Sequence, residues 1–129
     1  MNIRLFNKND FETIKIWWNK ANEIPPTLEM LPEESTFILE LNDEPQICIT
    51  VYLTNTNYLA YLEALVRNPE LKNHQYYTKL LIQHVENFVK EKNYKILICL
   101  SDKDKLKARY MELGYINTLN NLSSFAKEL

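Results

Sequence analysis

A change of period part-way along the chain decides most about what it can fold into. Between Thr36 and Val66, three short β-type segments follow one another, separated only by polar turns. From Asn73 onward the apolar residues recur at helical spacing for roughly five turns. A continuous apolar run follows. Strands joined by short turns read as an antiparallel meander, whereas strand, long helix and strand read as a crossover that makes parallel neighbours. Together they call for a mixed sheet covered by helices, an α+β or mixed α/β domain.

Single residues place the boundaries. Met1–Phe6 alternates and reads as a short strand. Asn9 or Asp10 then caps a helix running to about Asn22, with Phe11, Ile14, Trp17, Trp18 and Ala21 at helical spacing. Pro25-Pro26 breaks it, and Thr27–Leu31 reads as a short second helix stopped by Pro32. The meander strands are Thr36–Leu41, Gln46–Leu53 and Tyr58–Val66, with turns at Asn42–Pro45 and Thr54–Asn57. Asn68-Pro69 ends the third. The long helix runs from about Asn73 to Lys92, with Tyr77, Leu80, Leu81, His84, Val85, Phe88 and Val89 on one face. Tyr94–Leu100 reads as a strand buried on both faces. Lys103–Leu113 is a further helix, and Gly114 sits at its C-terminal cap. Tyr115–Leu119 and Ser123–Leu129 are strand-like. The expectation is one domain, residues 1–129, with about six or seven strands and about four helices.

Composition excludes several functions. The 129 residues contain one Gly, where average usage would give roughly nine. No G-x-G-x-x-G fingerprint and no phosphate-cradling G-x-x-x-x-G-K-[ST] loop can exist. Turns must use Asn, Asp or Pro, and there are fifteen Asn. The net charge of −2 leaves no basic footprint, so no nucleic-acid partner is expected. No apolar run approaches the ~20 residues of a membrane span, and no signal-peptide pattern opens the chain. Cys48 and Cys99 fall in predicted strands and read as reduced core thiols of a cytoplasmic protein. His74 and His84 have no Cys or carboxylate at ligand spacing, so no metal site is expected.

Two stretches and the order of elements resemble the GNAT superfamily of N-acetyltransferases. Tyr61-Leu62-Glu63-Ala64-Leu65-Val66-Arg67-Asn68-Pro69-Glu70 is similar to that family's fourth strand, which ends in an apolar stretch, Val and Pro-Glu. Ala108-Arg109-Tyr110-Met111-Glu112-Leu113-Gly114-Tyr115 is similar to its A-x-x-Y-x-x-x-G-F region with shortened spacing. Phe125–Leu129 fits its last strand. Trp17-Trp18 and Asn-Pro-Glu bring the chain nearest to short GNAT-like proteins of phages and bacteria, which implies a location in a host's cytoplasm if phage-encoded.

The resemblance implies transfer of acetyl from acetyl-CoA to an amine. Glu63 would then be the general base and Tyr110 the acid that protonates the departing thiolate. Backbone groups of Leu65 and Val66 would hold the acetyl carbonyl and pantetheine arm. Lys72, Asn73, His74, Gln75, Tyr76, Tyr77 and Thr78 would form the pyrophosphate loop, with helix N–H groups facing the phosphates. Here the chain departs from the family pattern. Gln75 and Tyr77 stand where the family carries small residues, and Lys103 stands where many members carry an Asn. On the residues alone, Glu63 is either that base or a solvent-facing strand residue, and Tyr110 is either that acid or core. Of Trp17 and Trp18, one belongs to the core and the other is free to line an acceptor pocket. Three functions stay open: an acetyltransferase, an inactive GNAT-fold module that binds a protein partner in a virion or host, or a pocket for another acyl group or small ligand. The fifteen aromatic residues suit an interface or a core equally.

Overall fold

The computed structural model describes residues 1–101, 103–118 and 127–129. Five strands and three α-helices lie among them: β1 (Asn2–Leu5), α1 (Phe11–Lys20), β2 (Thr36–Leu41), β3 (Glu44–Leu53), β4 (Leu59–Arg67), α2 (His74–Glu91), β5 (Ile96–Cys99) and α3 (Asp104–Glu112). The strands form one sheet in the order β1-β2-β3-β4-β5. The first four are antiparallel, and β5 pairs parallel to β4.

The meander follows from local chemistry. Asn42 and Asp43 both have positive φ (51° and 62°), the geometry of a two-residue hairpin turn that matches the strand twist. Asn68 pins the end of β4 to β3, its amide donating to the Gln46 side chain at 3.1 Å and its N–H to the Gln46 carbonyl at 2.8 Å. Its Oδ1 accepts the Glu70 N–H at 3.1 Å and turns the chain toward α2.

The scarcity of glycine is resolved at the helix ends. Gly114 follows α3 with φ +92°; its N–H donates to the Met111 carbonyl, and the Tyr115 N–H donates to the Tyr110 carbonyl. These two bonds define the Schellman cap, which needs a left-handed residue just past the helix. α1 and α2 end the same way, with Asn22 (φ 57°) and Asn93 (φ 67°) in that place. Asn tolerates this region because its short polar side chain bonds locally.

Two apolar layers sandwich the sheet. Phe37, Ile49, Val51 and Leu62 face α2, which contributes Leu81, Ile82, Val85 and Val89, and Tyr110 of α3 joins them. Phe6, Ile38, Cys48 and Val66 face the other way and meet Ile14 and Trp17 of α1. Arg4 ties β1 to both neighbours, pairing with Asp10 at 2.8 Å and Glu40 at 2.9 Å.

Several sequence expectations change. The described residues hold five strands rather than six or seven and three α-helices rather than four. Thr27–Leu31 contains only a single 3₁₀ turn, Leu28–Met30, because Pro32 leaves no room for a second turn. Tyr94–Leu100 shortens to β5, which is half-buried rather than buried on both faces, since it is the last strand of the sheet among the described residues. Residues 115–118 are not a strand, and neither are 127–129; Leu119 and residues 123–126 lie outside the described residues.

Candidate active site

The site originates in one misfit residue pair. Thr50 of β3 faces Glu63 of β4, but Cys48 faces Val66, so β4 carries one extra residue over that interval. This is a β-bulge, and Ala64 within it takes φ 54°. Strict alternation would send Leu62 and Val66 to the same face. Instead Leu62 and Leu65 reach the α2 layer, while Ala64 and Val66 reach the α1 layer. The β4–β5 ladder stops at the same height, with Leu62 opposite Cys99 as its last pair. Beyond it β4 runs on from Glu63 to Arg67 without a β5 partner, so the two strands fork.

A cleft of about 370 Å³ opens at this fork. Leu65, Val66 and Arg67 of β4 line it, with Trp17 and Trp18 of α1, His74, Gln75 and Thr78 of α2, and Leu106 and Arg109 of α3. It therefore connects the two faces of the sheet. Lys20, Lys103 and Lys105 also line it, and among the described residues Glu23 is the one carboxylate that does. Glu23 and Lys103 form an ion pair that joins the end of α1 to the start of α3. The Trp18 Nε1–H is buried with no partner among the described residues. A buried donor left unpaired costs about 1–3 kcal/mol, so this N–H, on a residue that lines the cleft, is open to an acceptor.

Glu63 sits beside the fork on the α1 face. Its cross-strand neighbour Thr50 is buried there, bonded hydroxyl to hydroxyl with Thr36 at 3.0 Å. Burial raises the Glu63 pKa above the usual carboxylate value. Nearby Tyr52 donates to the Met30 carbonyl at 2.7 Å and anchors the segment after α1 over this face. Tyr110 sits on the opposite face, buried in the α2 layer. Its hydroxyl has the Cys99 thiol of β5 as a neighbour. Burial, then the neighbouring thiol, raises the Tyr110 pKa, and burial pushes Cys99 up to about 12. Glu63 and Tyr110 thus lie on opposite faces of the sheet, and neither is among the residues that line the cleft.

No family model matches the sequence, and no curated protein sequence matches it. Solved structures do match. An aminoglycoside acetyltransferase from an uncultured soil metagenomic sample, in complex with sisomicin, aligns at TM-score 0.70 and 19% identity, over 99% of this chain and 95% of that one. The Escherichia coli ribosomal-protein-S18-alanine N-acetyltransferase aligns at 0.73 and 15%, over 88% of this chain and 76% of that one. A Mycobacterium tuberculosis protein in complex with CoA aligns at 0.70 and 13%, over 86% and 70%. The fold is that of the GNAT acetyltransferases.

Within the GNAT fold, the loop leading into α2 lies where the resemblance implies phosphate binding. Its one left-handed residue is Asn73 (φ 57°). Gln75 and Tyr77 lie inside α2 with ordinary negative φ, so neither position needs glycine for its backbone. His74, Gln75 and Thr78 reach the cleft; Lys72, Asn73, Tyr76 and Tyr77 are not among its lining residues. The Tyr77 ring packs edge-on against Tyr76 and onto the α2 layer instead. Arg67, Lys105 and Arg109 are cleft residues that the sequence reading passed over as site candidates. Arg67 and Arg109 sit inside the two GNAT-like stretches, but only folding brings them together. No helix among the described residues is long and apolar enough to cross a membrane, and none of their His, Cys, Asp and Glu side chains group to hold a metal.

Proposed function

We propose that this chain is an N-acetyltransferase that moves acetyl from acetyl-CoA to an amine. One observation carries the reading: the bulged end of β4 forks from β5 into a cleft that is basic in a chain of net charge −2. The features of that cleft fit the co-substrate. Leu65 and Val66 lie where β4 has no β5 partner and can face a carbonyl, Trp18 offers an unpaired N–H, and cations wait for phosphates. Acetyl-CoA would supply an activated acyl thioester when bound, with CoA leaving as the free thiol.

The residues then take these roles. The amine attacks only when neutral, and Glu63, whose basicity burial raises, accepts its proton. Tyr110, kept protonated by burial, donates toward the departing sulfur from the opposite face. The backbone of Leu65 and Val66 steadies the carbonyl oxygen as charge develops on it. The acceptor enters from the α1 face, beneath the segment that Tyr52 anchors.

Thermal shift with acetyl-CoA tests the reading. Binding at a hundred times Kd adds about 2.7 kcal/mol to stability, a clear rise in Tm. Release of free thiol on mixing with a panel of amines then measures turnover. Absence of any Tm shift at millimolar acetyl-CoA would sink the proposal and leave the inactive-module reading.

A further inference from the structure

The glycine-poor loop raises the question of what holds the ligand's phosphates. Most of the answer lies off the loop. Arg67 at the end of β4, and Lys105 and Arg109 on α3, line the same cleft as His74, the first residue of α2. β4 and α2, neighbours in sequence, and the distant α3 thus bring cations to one place. We propose that Arg67, Lys105 and Arg109, with His74, form a side-chain clamp for the phosphate groups of the ligand, replacing a glycine-rich backbone loop.

The surroundings leave these charges available. Glu112, the carboxylate that pairs with Arg109 among the described residues, takes Lys79 at 2.6 Å and reaches Arg109 only at 3.6 Å. Arg67 uses one nitrogen to hold the carbonyls of Asn68 and Pro69, at 3.3 Å each, which aims the guanidinium and leaves its other donors free. A guanidinium matches phosphate in a two-pronged geometry that a backbone loop would otherwise supply. The imidazole of His74 registers the field. Burial first, then Arg67, Arg109 and Lys105, hold its pKa below the usual value. Lys20, Lys103 and Glu23 face the same cleft, with Glu23 occupied by Lys103. Like charges gathered without a matching anion destabilise the empty protein, and a bound phosphate relieves them.

The clamp rests on the acetyltransferase reading for the identity of its ligand, but not for its existence. The test therefore uses three probes on the whole chain: CoA, pantetheine, which lacks the phosphates, and inorganic pyrophosphate. Lys105→Gln and Arg109→Gln carry it, with Lys90→Gln at the far end of α2 as the control. Arg67→Gln is added if it folds, since that side chain also holds a turn. Each cleft variant should bind CoA and pyrophosphate about tenfold to a hundredfold more weakly, as expected for a lost charged hydrogen bond. Pantetheine binding should not change. Added salt should weaken CoA binding more in the parent protein than in the variants. Protection by pyrophosphate but not by CoA would uphold the clamp and refute acetyl-CoA as the ligand. Variants that bind CoA and pyrophosphate like the parent, loss through Lys72→Gln instead, or no protection by pyrophosphate or CoA would each overturn the clamp.

Discussion

Asn22 and Asn93 stand just past their helices in the left-handed region, where Gly114 stands after α3. For an L-residue without a local hydrogen bond, that conformation costs roughly 1–2 kcal/mol. Asn93→Ala should therefore lower stability by about 1 kcal/mol, while Asn93→Gly leaves it near the parent's, as read by chemical denaturation. Glu63 offers a test that separates chemistry from folding. Burial holds its pKa above 4.5, so the folded chain keeps that proton to higher pH than the unfolded chain. The contribution favours folding at low pH and is lost as pH rises through the raised value. Glu63→Gln should thus gain Tm relative to the parent at pH 8 while slowing acetyl transfer roughly a hundredfold or more. His74 runs the other way. Its folded pKa lies below 6.5, so the unfolded chain takes up the proton first as pH falls. Stability is fully present above 6.5 and declines below it, and His74→Gln should flatten that decline in Tm measured against pH.

At the scale of elements, the bulge in β4 does the most. It reverses which face the following side chains reach, and the fork lies beside it. Ala64 sustains φ 54° only because it is small. A β-branched side chain there is a genuine outlier. Ala64→Val should cost about 1–3 kcal/mol and weaken acetyl-CoA binding, with calorimetry reading both. Alternation and helical spacing made most elements legible from sequence. The segment Thr36–Leu41 coincides with β2, and His74–Glu91 falls within one residue of its expected bounds at each end. The bulge was not legible, because Glu63-Ala64-Leu65-Val66 reads as ordinary strand and an extra residue appears only against a partner. The Tyr-x-x-x-Gly-Tyr spacing has a physical basis as well. It is a Schellman cap in which Tyr115 returns to Tyr110, with ring centroids 5.4 Å apart.

At the scale of the molecule, charge distribution matters more than net charge. The sequence argument from −2 disfavours general polyanion binding, yet the cleft gathers Lys20, Arg67, Lys103, Lys105 and Arg109 against Glu23. Ligand binding should accordingly weaken as salt rises from 0.05 to 0.5 M, values chosen to bracket a screening length of about 10 Å at 0.1 M, with titration calorimetry as the readout. The two Trp residues divide as adjacent positions on a helix must: Trp17 is buried in the α1 layer, and Trp18 packs at its margin with an unpaired N–H.

By itself the sequence determined the order of elements, the mixed sheet, the turn and cap residues, and the two stretches that carry the GNAT resemblance. These are local properties, written in period and in the φ preferences of Asn, Asp, Pro and Gly. Only the tertiary structure decided where the ladder between β4 and β5 ends, that Tyr77 turns away from the cleft, and that Arg67, Lys105 and Arg109 meet at His74. Those are relations between residues far apart in the chain. Strand register and the electrostatic field exist only once distant segments are held together.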